Sequence, residues 1–202
     1  MVNLVQEDAE ANKEFVMFKK MNFTSEQKES CCSTQESSLS CSTSLESNGH
    51  NCCTPQPKGK VECPQCGQKA KGVLGKTVEY LLTDEAIAKL SCFDGFYYCK
   101  TPSCEVVYFR NNEILTQKDI SVVVGLKDGA SPATTCYCFD WTKEKIRAEL
   151  QESGETKALE DIKAKMENPG CSCEILNPSG GCCLGDNTKV IKEIKIELSK
   201  RA

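Results

Sequence analysis

Histidine and tryptophan each occur once in these 202 residues, as His50 and Trp141. With one imidazole and no evident nucleophile assigned to it, the sequence offers no catalytic constellation of the nucleophile–histidine kind. No carboxylate pair has a distinctive setting, and the phosphate-cradling pattern G-x4-G-K-[ST] is missing, so the chain reads as a binding or electron-transfer protein rather than an enzyme. Nowhere do about 18 uncharged apolar residues run together, so insertion into a membrane is not expected. The opening "MVNLVQEDAEANKEFVMFKK" has neither the basic start nor the apolar run of a secretory signal. A cytoplasmic location is therefore expected, where thiols are kept reduced. The net charge of −4 argues against the basic face of a nucleic-acid binder.

What the chain has in excess is cysteine, 16 in all. In a reducing compartment such a number reads as metal ligands or redox groups rather than crosslinks.

Three regions differ in composition. Residues 1–58 are rich in Ser, Thr, Glu and Cys, with too little apolar surface to offset the entropy of ordering, and are expected to be a disordered tail. They carry Cys31, Cys32, Cys41, Cys52 and Cys53, near which His50 is expected to be solvated. Residues 61–128 alternate strand signals with turns: "GFYYC" and "CEVVYFR" are aromatic and β-branched, Asn111–Asn112 suits a hairpin turn, and "DISVVVG" reads as a further strand. Thr83 is placed to cap one short helix. This is a small α+β domain with a thin core, for which a metal staple is expected. Residues 134–199 change to helical period. Trp141, Ile146 and Leu150 share one face, with Asp140 or Thr142 as cap, and Leu159, Ile162 and Met166 continue the pattern. Ile191, Ile194 and Leu198 form a last stripe, expected to be a helix capped by Asp186 or Asn187.

Two cysteine groups follow this division. Cys63 and Cys66 in "CPQCG" and Cys99 and Cys104 in "CKTPSC" are pairs at zinc-ligand spacing. Four thiolates suit tetrahedral, redox-inert zinc, although spacing alone also admits iron. Cys92 has no partner at such spacing and reads as a core residue. The second group comprises Cys136 and Cys138 in "CYC", then Cys171, Cys173, Cys182 and Cys183 in "CSCEILNPSGGCC". A [2Fe–2S] cluster takes two thiolates per iron. "CFDWTKEKI" and "CLGDNTKVI" are both expected to run from cysteine straight into a helix start, whose free N–H groups favour an anion.

C-x-C followed some three dozen residues later by a second cysteine pair resembles a bacterioferritin-associated ferredoxin-like [2Fe–2S] domain. The full order "CPQCG", "FYYCKTPSCEVVYF", "CYC" and "CEILNPSGGCC" resembles the N-terminal region of CopZ-type copper chaperones, which carries one zinc site and one [2Fe–2S] cluster. That resemblance covers roughly residues 61–198. It assigns zinc to Cys63, Cys66, Cys99 and Cys104, and the cluster to Cys136, Cys138, Cys173 and one of Cys182 or Cys183, with Cys183 preferred as nearer the helix start. The implied fold is α+β: a zinc-stapled β-rich domain, then a helical cluster domain. The implied role is an iron–sulfur electron-transfer protein that supports copper or other soft-metal handling, with reduction of Cu(II) to Cu(I) as a possible activity. Its partners would be an electron-donor reductase and a copper or soft-metal transport or chaperone protein. A CopZ-type chaperone adds a heavy-metal domain that carries Cu(I). None is expected in this sequence, which leaves the tail thiols as candidate Cu(I) ligands. Two alternatives stand beside this role: soft-metal storage or sensing by the cysteine-rich tail, and a purely structural zinc-binding interaction module.

Overall fold

Short strands rich in aromatic and β-branched residues, broken by turns, build an antiparallel five-stranded sheet in the computed structural model, which describes residues 59–201. Its strands run in the order β1 (Lys60–Glu62), β2 (Lys69–Gly72), β3 (Tyr97–Tyr98), β4 (Val106–Arg110) and β5 (Glu113–Thr116). Two short helices, α1 (Gly75–Leu81) and α2 (Asp84–Ile87), are inserted between β2 and β3. Thr83 caps α2 as expected, its side chain accepting from the Ala86 N–H. The β4–β5 hairpin turns at Asn111, which takes a φ of 48° that Asn tolerates. The architecture is α+β. The tail expected over residues 1–58, with its five cysteines and His50, lies outside the described residues.

The core of this half is Val73, Val78, Leu81, Leu82, Phe96, Val107, Tyr108 and their neighbours. Burying each large side chain here contributes about 1.5–3 kcal/mol. A separate, smaller cluster holds Cys63, Cys99, Cys104, Ala70, Val106 and Phe109, with Tyr97 stacked on Phe109. Cys92 is half-buried and belongs to neither cluster.

The strand expected at "DISVVVG" is not formed. Only Ile120 pairs, as an isolated bridge to Leu82. The Gln117 side chain supplies the reason. Its amide N–H donates to the Val122 carbonyl at 2.7 Å and its oxygen accepts from the Val124 N–H at 2.9 Å. The backbone is thus satisfied locally and needs no strand partner.

The helical half begins with a two-stranded hairpin, β6 (Thr134–Cys136) and β7 (Trp141–Thr142), followed by α3 (Lys143–Ser153), α4 (Ala158–Glu167), α5 (Cys173–Leu176) and α6 (Leu184–Ser199). Helices α3, α4 and α6 bury Ile146, Leu150, Ala158, Val190, Ile191 and Ile194 against one another, with Leu159 and Leu198 partly buried beside them, whereas Ile162 and Met166 of the stripe expected on α4 pack around the second thiol group. Among the described residues no helix is long and apolar enough to cross a membrane.

Two expectations about helix starts need correction. The last helix starts at Leu184 with Cys183 at the N-cap, three residues before the expected Asp186 and four before Asn187. Asn187 is instead fully buried inside the first turns, drawn in by hydrogen bonds to Thr135 and Cys183. "CFDWTKEKI" does not run straight into a helix either. Asp140 takes a φ of 54°, Trp141 pairs back to Cys136, and α3 starts only at Lys143, capped by Thr142.

The halves meet across several polar contacts. Thr77 donates to the Glu174 carbonyl, Tyr108 donates to the Pro178 carbonyl at 2.7 Å, and Lys76 pairs with Glu174. At Gly125 the loop joining them touches the β6 backbone. A Cβ there would lie 2.0 Å from the Thr134 carbonyl oxygen, which a rigid backbone cannot absorb. Gly125→Ala is expected to destabilise the fold by about 2–4 kcal/mol, measurable as a lowered denaturant midpoint at unchanged slope.

Candidate metal centres

The first site is built at the edge of the sheet. "CPQCG" turns between β1 and β2: the Gly67 N–H donates to the Cys63 carbonyl at 2.8 Å, and the Cys63 N–H to the Gln68 carbonyl at 2.9 Å. Gly67 adopts a φ of 69°, which a residue with a Cβ enters at a cost. Cys99 leaves β3 and Cys104 precedes β4, with the Cys104 N–H donating to the Thr101 carbonyl. All four Sγ atoms lie within 4.8 Å of one another, with Cys63–Cys104 at 3.9 Å and Cys66–Cys99 at 3.6 Å. Four soft donors converging on one point from a part-buried pocket fit tetrahedral zinc.

The thiols are not equivalent. Burial pushes Cys63 up and Cys104 up to about 12. Cys66, bonded to the Thr101 hydroxyl at 3.4 Å, is held down to about 6. Backbone N–H groups oppose the rise, from Cys66 and Gln65 toward Cys63 and from Val106 toward Cys104. Such donors favour the thiolate a metal requires.

One residue that spacing did not reveal stands against this site. Lys127 is only 9% exposed, and its ammonium donates to the carbonyls of Cys99 at 2.7 Å, Thr101 at 3.0 Å and Val106 at 2.7 Å. Burial pushes its pKa down, and the four cysteines push it back up. Within "GLKDGASPATT", a segment with no periodicity, nothing local marks that lysine as buried.

The second group assembles differently. Cys136 and Cys183 are fully buried, Cys173 nearly so, and Cys138 half-buried, in a shell of Ile162, Phe139, Trp141, Met166 and Leu184. Cys171 and Cys182 are exposed. The structure thus draws inward one of each neighbouring pair, Cys173 and Cys183. The four inward thiols form two pairs. Cys138 and Cys173 lie 3.8 Å apart. Cys136 and Cys183 act on each other's ionisation: their interaction holds Cys136 down to about 7 and pushes Cys183 up. Burial raises Cys138 and Cys173. Among the described residues it is the first group alone whose ligand atoms all fall within 4.8 Å of one another, so the second is not shaped for a single ion. Two thiol pairs side by side match the two-per-iron donor set of a binuclear cluster.

Polar side chains fix these pairs. The Asn187 amide donates to the Thr135 and Cys183 carbonyls, both at 3.0 Å, while its oxygen accepts from the Thr135 hydroxyl at 2.7 Å. This network ties the start of α6 to β6, and hence Cys183 to Cys136. Tyr137, between the two cysteines of "CYC", donates to the Val123 carbonyl and accepts from the Gly125 N–H. Asn177 spans the "NPSGG" turn, donating to the Gly181 carbonyl and accepting from the Ser179 N–H. The two helix starts at this site belong to α5, whose first residue is Cys173, and α6, capped by Cys183. The start of α3, which the sequence suggested, is separated from Cys138 by β7.

Comparison with known proteins follows the same outline. The zinc-binding domain family of the CopZ type matches residues 60–121. Over 148 residues the chain is 30% identical to the copper chaperone CopZ of Archaeoglobus fulgidus, covering 68% of this chain and 70% of that protein. The crystal structure of the N-terminal domain of A. fulgidus CopZ superposes with a TM-score of 0.56 at 30% identity, covering 64% of this chain and 97% of that one.

Proposed function

Because this chain belongs to the CopZ family of copper chaperones, we propose that it is a cytoplasmic iron–sulfur electron-transfer protein serving copper handling. Zinc is held by Cys63, Cys66, Cys99 and Cys104 as a structural ion. A [2Fe–2S] group is held by Cys136, Cys138, Cys173 and Cys183. The observation that carries this reading is the sorting of six nearby thiols into two inward pairs and two exposed single cysteines. Apolar neighbours exclude water from the inward four, and N–H groups of Cys138 and Phe139 toward Cys136, and of Cys183 toward Cys173, stabilise their thiolates.

When bound, a [2Fe–2S] group exchanges one electron at a time, the increment that separates Cu(II) from Cu(I). The chain's own part is to hold four thiolates in fixed pairs, keep them dry, and leave Cys138 half-buried on the side by which an electron could enter or leave. A reductase supplies the electron and a copper-transport protein receives Cu(I), the state that suits thiolate transport sites. Two irons per chain beside one zinc, with acid-labile sulfide and the visible absorption of a [2Fe–2S] centre, are expected in protein purified without oxygen. A colourless sample with full zinc and no sulfide would remove the electron-transfer reading.

A further inference from the structure

We propose that Lys127 is the built-in counter-ion of the four-cysteine metal site. The inference rests on zinc being bound by Cys63, Cys66, Cys99 and Cys104. Four thiolates around a divalent ion carry two net negative charges, and a half-buried pocket makes such a charge costly unless a cation or donors face it. Lys127 supplies the cation from outside the ligand set. Its Nζ has three carbonyl acceptors at 2.7, 2.7 and 3.0 Å. A neutral amine has two protons to donate, whereas an ammonium has three, so the geometry is that of the charged form.

The three carbonyls belong to Cys99, Thr101 and Val106, so the ammonium closes the loop that carries Cys99 and Cys104 from beneath. The main chain around Lys127 is held in turn. The Lys127 N–H donates to the Val124 carbonyl and the Asp128 N–H to the Pro102 carbonyl at 3.0 Å. No carboxylate is hydrogen-bonded to the ammonium among the described contacts, and the lysine is 9% exposed. The Cys99 carbonyl at 2.7 Å sets the ammonium on the backbone of a ligand residue, so the charge of the four thiolates falls beside it. Charge and backbone contacts thus act together, making Lys127 a positioning residue for the metal.

Transfer of zinc from the purified full chain to a chromogenic chelator tests this with K127Q, K127M and, as a control, K100Q at the exposed neighbour of Cys99. Gln retains hydrogen-bond donors without charge, whereas Met retains length alone. Both K127Q and K127M are expected to release zinc about tenfold or more faster than wild type, with K100Q unchanged. Co(II)-substituted K127Q should in addition show a shifted thiolate-to-metal charge-transfer band while keeping tetrahedral d–d bands. Wild-type release from K127Q with an unshifted band would overturn the counter-ion role. If a variant is isolated unfolded, the zinc concentration that restores its near-UV circular dichroism replaces the rate, and a value equal to wild type overturns the proposal equally. Failure of the underlying zinc assignment gives a different result: the wild-type chain itself then holds no zinc.

Discussion

Cys136→Ser is expected to give a colourless protein that retains its full zinc content while its iron falls at least about tenfold. Cys136 is 0% exposed, and its sulfur, held down by the interaction with Cys183, faces the N–H groups of Phe139 and Cys138. A serine oxygen is harder and shorter than a thiolate sulfur, and at neutral pH it stays protonated, so it cannot take the place of a soft anionic ligand. The exposed Cys182 and Cys171 are not positioned to substitute without moving α5 or the start of α6, which Asn177 and Asn187 pin. Cys182→Ser, by contrast, should leave iron, sulfide and colour at wild-type levels. Iron and zinc by elemental analysis, with the visible spectrum, decide the matter. Full iron in the first variant, or its loss in the second, would break the ligand assignment. Loss of zinc together with iron would instead show that the two halves assemble as one.

Removing zinc is expected to open one part of the strand-rich half and leave the other closed. All three residues of β1 are exposed, and of β2 only Ala70 is buried. Apolar burial therefore does little for these strands, and beyond the short β2–β3 ladder it is the four thiols that tie them to β3 and β4. The main core around Val78, Leu81, Phe96, Val107 and Tyr108 is a separate cluster that involves none of the cysteines. After chelation, or in Cys63→Ser, amides paired between β1 and β2 should lose at least about a hundredfold in hydrogen-exchange protection, near 3 kcal/mol. Amides of α1 and of central β4 should change little. This is a fraction of the gain that structural zinc gives an otherwise unfolded finger, about 10–16 kcal/mol, because here a core persists without the ion. Uniform loss of protection would mean that the whole half depends on zinc, and no loss that the strands stand without it.

Much of this organisation was legible in the chain. Cys63 and Cys66 must converge, because C-x2-C with a following Gly has few other conformations, and Cys99 and Cys104 are delivered by strands that their aromatic and β-branched neighbours specify. The stripes of α3, α4 and α6 are read from period alone, and Thr83 and Thr142 cap as their chemistry suggests. Other features were hidden because their partners are remote. "SVVVG" looks like a strand until the Gln117 side chain is seen to satisfy its backbone. Asn187 looks like a cap until Thr135, 52 residues earlier, accounts for it as a buried strut. Lys127 carries no local mark at all, since its acceptors lie 21 to 28 residues away.

By itself, then, the sequence determined which atoms are available and how they are grouped: two sets of thiols, one in strand context and one among helices. It did so because cysteine spacing and hydrophobic period are local properties. Only the tertiary structure decided which thiol of each neighbouring pair turns inward, that Cys183 rather than Asp186 begins the last helix, and that a lysine lies buried beneath the first site. Those outcomes depend on the balance between burying a charged or polar group and finding it a partner, and the partners come from segments far apart along the chain.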